Sequence, residues 1–173
     1  MKLAERCAAI ELLLTDVDGV LTDGGVIIDN QGVESKCFNI RDGLGVRLWQ
    51  NSGGLAGIVT GRSSQIVKLR ATELDMEIVR QGVKEKLPVV EEILELLKLQ
   101  PEQLAYIGDD LPDVPVIRYA GLGIAVADAP EEVRGAADYV TSVPGGGGAV
   151  REVVELLLKN TGKWENVIEK FVA

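Results

Sequence analysis

The amino-acid sequence predicts an α/β fold, Rossmann-like and doubly wound, with a mostly parallel sheet. Short apolar runs that are typical of buried strands alternate along the chain with segments of helical spacing. Right-handed crossovers join strands that alternate with helices, so the sheet is mostly parallel and both of its faces are covered. Several of the apolar runs end in polar residues, and functional groups in such sheets collect outside the carboxyl ends of the strands.

The individual elements follow from apolar patterns and turn residues. Apolar runs predict strands over 10–15, 55–59, 77–79, 105–108, 123–126 and 139–140. A hairpin is expected where 26–28 and 35–39 flank the turn-rich 29–32. Helical spacing predicts helices over 42–50, 63–73, 87–99, 114–120, 131–136 and 149–158. We expect a single domain over 1–173, with a hairpin insertion at about 24–40 and a Gly-rich tail and helix at about 144–173.

Composition narrows the choice of partners and compartment. The net charge is −9, from 18 Lys and Arg against 27 Asp and Glu, which argues against nucleic acid and anionic membranes as partners. No apolar run approaches the roughly 20 residues that span a bilayer. Acidic Glu5 and Glu11 interrupt the N-terminal segment, so no signal peptide is expected. Two cysteines are too few for a disulfide framework. The cytoplasm is therefore the expected compartment.

The chain has no histidine, and this limits the chemistry. Ser-His-Asp catalysis, Cys-His catalysis and His-ligated zinc are excluded. Any acid–base work falls to carboxylates, Lys, Tyr or water.

Four polar clusters lie at one predicted edge of the sheet. In chain order they are Asp16 with Asp18, Thr60 with Arg62, Lys86, and Asp109 with Asp110 and Asp113. Each cluster alone has an ordinary explanation, such as an Asp-Gly turn after Asp18, a helix cap at Asp109-Asp110, or a solvated lysine. Their coincidence at one edge, in the order acid, hydroxyl, base and acid, favours a functional site.

These groups support only a few types of reaction. Several carboxylates with one ammonium suit a hard, oxygen-loving cation such as Mg²⁺. A carboxylate can act as a nucleophile and form an acyl-phosphate, while a second carboxylic acid protonates the leaving oxygen. A hydroxyl and a lysine can hold the phosphoryl oxygens. Residues two apart on a strand share a face, so spacing alone does not choose between Asp16 and Asp18 as the nucleophile.

These motifs resemble those of the haloacid dehalogenase superfamily of phosphatases. The matching segments are DVDGVLT at 16–22, TGR at 60–62, Lys86, and GDDLPD at 108–113. Over nearly its whole length the chain also resembles the small, capless family that hydrolyses 3-deoxy-D-manno-octulosonate 8-phosphate in lipopolysaccharide synthesis. The segments that carry this narrower resemblance are LTDG at 21–24, FNIRDG at 38–43, QG at 81–82, VADA at 126–129 and GAVRE at 148–152.

The resemblance implies a role for each site residue. Asp16 is the implied nucleophile, and Asp18 is the implied acid–base, which also gives its carbonyl to Mg²⁺. Thr60 and Lys86, with Gly61 and Arg62 beside them, are implied to hold the phosphoryl group and substrate. Asp109 is the implied further metal ligand, while Asp110 and Asp113 support the site. Arg41, Arg62 and Arg70 are candidates to bind a sugar-acid carboxylate, although a surface ion pair is an ordinary alternative for Arg70.

The resemblance also implies an assembly, because the gaps between the motifs leave no room for a large cap domain. Small relatives of this type form homotetramers in which hairpins pair and a neighbouring subunit closes the site. An apolar hairpin face formed by Val26, Ile28, Val33 and Phe38 agrees with such association. Packing of this face on its own domain is the alternative.

One position departs from the narrower family. The tail reads Gly145 to Gly148 where Gly-Gly-Arg-Gly is expected, so that Gly147 replaces an arginine. A nonulosonate 9-phosphate is therefore a competing substrate. Two other classes stay open: a receiver domain that carries a phosphoryl group, and a non-catalytic, phosphatase-like regulatory partner. The position of the two acids after the first strand argues against a receiver domain, and the intact motif set argues against a non-catalytic partner.

Overall fold

The computed structural model describes residues 2–172, and these form a parallel sheet with helices on its faces. The strands are β1 (Leu12–Thr15), β2 (Ile27–Ile28), β3 (Glu34–Ser35), β4 (Leu55–Val59), β5 (Ile78–Arg80), β6 (Leu104–Gly108), β7 (Leu122–Ala125) and β8 (Tyr139–Val140). Six of them form one sheet in the order β5-β4-β1-β6-β7-β8, with parallel pairing throughout. The predicted doubly wound α/β fold is confirmed.

The helices include all those predicted and two more. They are α1 (Leu3–Ala9), α2 (Ile40–Asn51), α3 (Gln65–Glu73), α4 (Lys86–Leu97), α5 (Val114–Tyr119), α6 (Glu131–Arg134), α7 (Ala149–Asn160) and α8 (Trp164–Val172). The sequence reading did not include α1 and α8. It also began α2 at residue 42, whereas the Asn39 side chain caps the helix by accepting a hydrogen bond from the Arg41 amide, so the helix begins at Ile40.

The central strands are buried on both faces, as expected of a parallel sheet covered by helices. Every residue of β1, β6 and β7 is buried. Helix α7 packs against α1, α2 and α8, and α4 packs against α5. Among the described residues, no helix is both long enough and apolar enough to cross a membrane.

The register of the central strands sets the position of the site. Thr15 at the end of β1 pairs with Ile58 of β4 and with Ile107 of β6, so these three strands end almost level. The Asp16 amide continues the ladder by donating to the Ile107 carbonyl at 3.0 Å. The residues that follow the three strands therefore meet at one edge of the sheet.

The predicted hairpin is present and stands away from the sheet. Within residues 2–172, strands β2 and β3 pair only with each other, in antiparallel register. Val26, Ile27, Ile28 and Val33 are each 57–58% exposed. Phe38 instead packs against the core. The hairpin's apolar side chains are thus divided between an exposed set and one residue that anchors the hairpin's base.

Candidate active site

The edge of the sheet brings most of the predicted site residues together around one cavity. The cavity has a volume of about 400 Å³. Its lining includes Asp16, Asp18, Thr60, Gly61, Arg62, Lys86, Asp109, Asp110 and Asp113. These residues come from the ends of β1, β4 and β6 and from the first turn of α4. The four polar clusters of the sequence therefore share one space.

The deepest part of the cavity is an ion network that we call the strand-end cluster, formed by Asp16, Lys86 and Asp113. The Lys86 ammonium donates to Asp16 Oδ2 and to Asp113 Oδ1, at 2.6 Å each. The three side chains are 12%, 3% and 1% exposed, respectively. Burial alone lowers the pKa of Lys86, but the two carboxylates outweigh burial and raise it above its usual value. Lys86 is therefore a permanent cation in this cluster.

Both carboxylate oxygens of Asp113 accept hydrogen bonds from neighbouring groups. Its Oδ1 also accepts a hydrogen bond of 2.6 Å from the hydroxyl of fully buried Tyr106, and its Oδ2 accepts from the amides of Asp109 and Asp110. Burial and the charge of Asp113 raise the pKa of Tyr106 well above its usual value, so the phenol stays a donor. These hydrogen bonds fix the position of the Asp113 carboxylate, which in turn accepts from the Lys86 ammonium.

The carboxylates form a group that fits a divalent cation. Asp16, Asp109 and Asp113 each offer an oxygen atom, and these atoms lie within 4.8 Å of one another. Because Asp113 already accepts four hydrogen bonds, Asp16 and Asp109 are the side chains with capacity left for a metal. Asp109 Oδ1 is buried and has no hydrogen-bond partner among the residues that the structure describes. An all-oxygen set with an unsatisfied carboxylate suits a hard cation such as Mg²⁺.

The raised pKa of Asp109 also indicates a cation site. Burial, followed by the charges of Asp113 and Asp16, raises the pKa of Asp109 to about 7. Carboxylates this close to one another resist joint ionisation until a cation compensates their charge.

The Asp109 carboxylate also lies directly against Gly19, where an added Cβ would lie 2.0 Å from Asp109 Oδ2. Gly19 has φ +90°, so this position favours glycine for backbone conformation as well as for space.

Asp18 lies outside the group of metal-facing side chains. Its carboxylate pairs with Lys36, which follows β3 in the hairpin, and lies 3.9 Å from Arg62. Glu34 completes this set, at 3.3 Å from Lys36 and 2.8 Å from Arg62. We call Asp18, Glu34, Lys36 and Arg62 the hairpin ring. The hairpin's second strand is thus attached to the edge of the cavity.

Two of the predicted substrate-binding arginines lie away from the cavity. Within the described part of the chain, neither Arg41 nor Arg70 lines it. Arg41 is exposed at the start of α2. Arg70 pairs with Glu73 at 2.9 Å, and its guanidinium lies 5.6 Å from the ring centre of Phe38. Of the three candidate arginines, Arg62 is the one that lines the cavity, where it lies beside Asp18 and Glu34.

The Gly-rich tail packs against the loop that follows Asp18. The Gly146 amide donates to the Val20 carbonyl at 2.8 Å, and a Cβ at Gly145 would lie 1.7 Å from the Gly19 carbonyl oxygen. Gly147, where the narrower family has arginine, is exposed, and a Cβ there would meet only its own turn at Pro144. The tail therefore supports the site loop through Gly145 and Gly146, not through Gly147.

Sequence reasoning missed three residues of this region. Glu34 lies on β3 and Lys36 directly follows it; in extended backbone a spacing of two places both side chains on one face. Tyr106 is the one side chain with a polar tip in the apolar strand LAYIG, and a buried tyrosine hydroxyl usually has a hydrogen-bond partner. Both patterns are visible in the sequence, but neither shows which residues these side chains contact in the folded protein.

Comparison with known proteins identifies the family of the chain. A family model described as haloacid dehalogenase-like hydrolase matches residues 63–152. A 3-deoxy-D-manno-octulosonate 8-phosphate phosphatase of Yersinia pestis is 47% identical over 161 residues, which cover 93% of this chain and 86% of that protein.

Solved structures are similar over almost the whole chain. A 3-deoxy-D-manno-octulosonate 8-phosphate phosphatase of Moraxella catarrhalis, in complex with magnesium ion, phosphate ion and a KDO molecule, has a TM-score of 0.96 at 41% identity and covers 98% of this chain and 97% of its own. A probable YrbI family phosphatase of Pseudomonas syringae has a TM-score of 0.97 at 45% identity, covering 99% and 97%. The chain therefore belongs to the haloacid dehalogenase-like hydrolases, and it is a phosphatase.

Proposed function

We propose that the protein is a Mg²⁺-dependent phosphatase that hydrolyses 3-deoxy-D-manno-octulosonate 8-phosphate to octulosonate and phosphate. This keto sugar acid serves lipopolysaccharide precursor synthesis, and we expect the reaction to occur in the cytoplasm. The observation that carries the proposal is Asp16, whose carboxylate lies beside an unsatisfied oxygen of Asp109 and 2.6 Å from the Lys86 ammonium. The similarity to octulosonate 8-phosphate phosphatases over 93% of the chain supports the choice of sugar.

The first half of the proposed reaction transfers the phosphoryl group to Asp16. A carboxylate oxygen of Asp16 attacks the phosphorus, the bond from phosphorus to the sugar oxygen breaks, and Asp18 gives its proton to that oxygen. The Lys86 ammonium and the Thr60 hydroxyl, which both lie against Asp16, hold the phosphoryl oxygens.

The second half hydrolyses the aspartyl-phosphate. Asp18, now ionised, takes a proton from water, which attacks the phosphorus. Phosphate leaves, and the Asp16 carboxylate is restored. Asp16, Asp109 and the Asp18 carbonyl would hold Mg²⁺, which supplies positive charge beside the transferring phosphoryl group. Asp110 lines the cavity and supports the turn after β6 by accepting a hydrogen bond from the Leu111 amide.

A substrate panel tests this function. Purified protein with Mg²⁺ is expected to release phosphate from octulosonate 8-phosphate, and EDTA is expected to stop the release. Nonulosonate 9-phosphate is the second candidate substrate, because Gly147 replaces the arginine of the narrower family. Hexose 6-phosphates are the comparison substrates. Folded, metal-loaded protein that hydrolyses none of these esters would contradict the phosphatase proposal.

The nucleophile is tested separately. Asp16→Asn keeps the size of the side chain but removes the attacking charge, so we expect turnover to fall at least about a thousandfold. Circular dichroism provides the folding control. Full activity of folded Asp16→Asn would exclude a covalent intermediate on this residue.

We also propose that the hairpins pair in a homotetramer. The exposed apolar residues Val26, Ile27, Ile28 and Val33 support this assembly, because side chains of this kind grouped on one insertion are typical of interaction surfaces. Arg41 and Arg70 do not line the cavity of their own subunit, so an assembly that brings a neighbouring site to them would give them a route to a substrate. Sedimentation or light scattering at micromolar concentration tests the assembly, and a clean monomer would contradict it.

A further inference from the structure

A buried lysine of the hairpin contacts the proposed acid–base residue, and the function proposed above assigns it no role. The Lys36 side chain is 2% exposed. Its ammonium pairs with Asp18 Oδ1 and lies 3.3 Å from Glu34 Oε1. Because an ammonium buried without partners is costly, these two carboxylates determine where Lys36 lies.

The hairpin ring attaches this lysine to the sheet edge. Arg62, which follows β4, lies 2.8 Å from Glu34 and 3.9 Å from Asp18. When Asp18 is ionised, as in the second half of the proposed reaction, charges of opposite sign alternate around the ring, with two members from the hairpin and two from segments that follow strands. Lys36 is the most buried side chain of the four, since the others are 19–44% exposed.

The ring makes the two oxygens of Asp18 different. Oδ1 is engaged by Lys36, while among the described residues the ion-pair partner of Oδ2 is the Arg62 guanidinium at 3.9 Å. Asp18 and Arg62 line the cavity, whereas Lys36 does not. Lys36 therefore engages Asp18 through Oδ1 from outside the cavity lining, and Oδ2 keeps the capacity to contact a substrate.

We propose that Lys36 is a positioning residue, which fixes one oxygen of Asp18 so that the other faces the leaving oxygen of the substrate. This inference rests on the proposed function. The bond changes are those of the phosphatase reaction: the proton moves from Asp18 to the sugar oxygen as the phosphorus–oxygen bond breaks. Lys36 touches no reacting atom and acts only through Asp18. The hairpin thereby belongs to the catalytic apparatus as well as to the proposed interface.

The dependence of the reaction on the leaving group separates this role from a structural one. An alkyl phosphate such as octulosonate 8-phosphate expels a strongly basic oxygen and needs the proton, whereas p-nitrophenyl phosphate expels a stable anion without it. The value of kcat/KM reports the steps through leaving-group release, so it isolates the step in which Asp18 is the acid. General acid catalysis contributes about 10²- to 10⁴-fold.

Lys36→Met is therefore expected to lower kcat/KM about 30-fold on the sugar phosphate, because orientation is part of the full effect of the acid. The expected loss on p-nitrophenyl phosphate is less than about threefold. Lys36→Arg restores a cation and is expected to recover part of the loss. The matched control is Lys68→Met, which removes an exposed lysine on α3 and is expected to leave both rates unchanged.

A double-mutant cycle completes the test. In an Asp18→Asn background, Lys36→Met is expected to add less than a twofold loss, since the group it positions is already gone. An equal loss on both substrates, or a full additional loss beside Asp18→Asn, would overturn the proposal. If Lys36→Met does not fold, Lys36→Gln is measured in the same cycle.

The failure of this inference can be told apart from failure of the proposed function. If octulosonate 8-phosphate is not hydrolysed but a hexose 6-phosphate and p-nitrophenyl phosphate are, the proposed substrate is wrong, and the same comparison is made with those two esters. If folded, Mg²⁺-loaded protein hydrolyses no phosphate ester, the proposed function and the positioning role both fail.

Discussion

The strand-end cluster and the hairpin ring both pair acids with bases, but the fold holds them differently. The strand-end cluster joins Asp16, Lys86 and Asp113 beneath the ends of the central strands, and its side chains are at most 12% exposed. The hairpin ring depends on two-residue strands that pair only with each other, and its Arg62 is 44% exposed.

This difference in burial predicts how much the loss of one charged side chain should destabilise the fold in each region. Removing one partner from a buried ion pair costs about 3–5 kcal/mol, because the remaining charge is left unpaired. Partly exposed pairs contribute about 0–1 kcal/mol. The strand-end cluster is therefore expected to affect both stability and catalysis. In the ring, Lys36 is itself 2% exposed, but its partners Asp18 and Glu34 are 20% and 19% exposed. These partners can be solvated when Lys36 is replaced, so we expect a smaller cost in folding than in the strand-end cluster. The following predictions test that contrast, from the largest expected effect to the smallest.

Lys86→Met is expected to damage both properties. The change leaves Asp16 and Asp113 as buried carboxylates without their cation, so we expect the free energy of unfolding to fall by about 3–5 kcal/mol. We expect kcat to fall by at least about 10²- to 10³-fold, as when a charge-stabilising donor is removed. Urea unfolding and phosphate release measure the two effects. A destabilisation no larger than that of Lys36→Met would remove the proposed contrast.

The loop that follows Asp18 is packed against the Gly-rich tail, so a larger side chain at Gly145 should destabilise the protein. A methyl group there would strike the Gly19 carbonyl oxygen, so Gly145→Ala is expected to cost about 1–3 kcal/mol and to disturb the Asp109 side of the site. Gly147→Ala is the matched control. Gly147 lies in the same Gly-rich segment but is exposed, whereas Gly145 is buried. A Cβ at Gly147 would be 3.0 Å from the Pro144 carbonyl oxygen, and the change should cost less than about 1 kcal/mol. Similar unfolding midpoints for the two variants would contradict the packing of the tail on Gly19.

Metal binding should depend on pH through the strand-end side of the site. Burial and neighbouring carboxylates raise the pKa of Asp109 to about 7, so a proton competes with Mg²⁺ below that pH. We expect the apparent Kd for Mg²⁺ to rise about tenfold per pH unit below about 7 and to level off above it. Calorimetry measures this, and Lys36→Met should leave the profile unchanged. A Kd independent of pH between 5.5 and 8 would exclude Asp109 as the competing site.

The same pKa has a consequence for the metal-free protein. A carboxyl with a raised folded-state pKa stabilises the fold fully below its unfolded-state pKa of 3.8, and the contribution is lost as the pH rises through about 7. The stability of metal-free protein should therefore decline over this window, and Mg²⁺ should restore it. Thermal unfolding with and without EDTA gives the comparison.

The smallest effect on the protomer is expected at the hairpin tip. Ile28→Glu places a charge on a side chain that is 57% exposed, so the protomer's unfolding free energy should change by less than about 0.5 kcal/mol. The proposed assembly should nevertheless dissociate, because a charge is placed between apolar hairpins. An unchanged sedimentation coefficient would place the interface elsewhere.

The sequence predicted much of this arrangement, for reasons visible in particular residues. Apolar runs that end in Asp16, Thr60 and Asp109 predicted level strand ends, because a parallel sheet aligns carboxyl termini at one edge. The amphipathic pattern also predicted the helix that begins at Lys86. Helices α1 and α8 were missed, since a short segment of seven residues and a terminal one of nine have few signals beyond weak periodicity.

The sequence by itself determined the fold class, the four motifs and the kind of chemistry they allow, because these depend on local pattern and on residue type. Only the tertiary structure decided which charges meet. Lys36 reaches Asp18 across the hairpin, Tyr106 supports Asp113, and Gly145 abuts Gly19, each through a contact between segments that the sequence order does not relate. The physical reason is that pairing of buried charges depends on distances of a few ångströms in three dimensions, whereas sequence pattern records only which face of a strand or helix a side chain occupies.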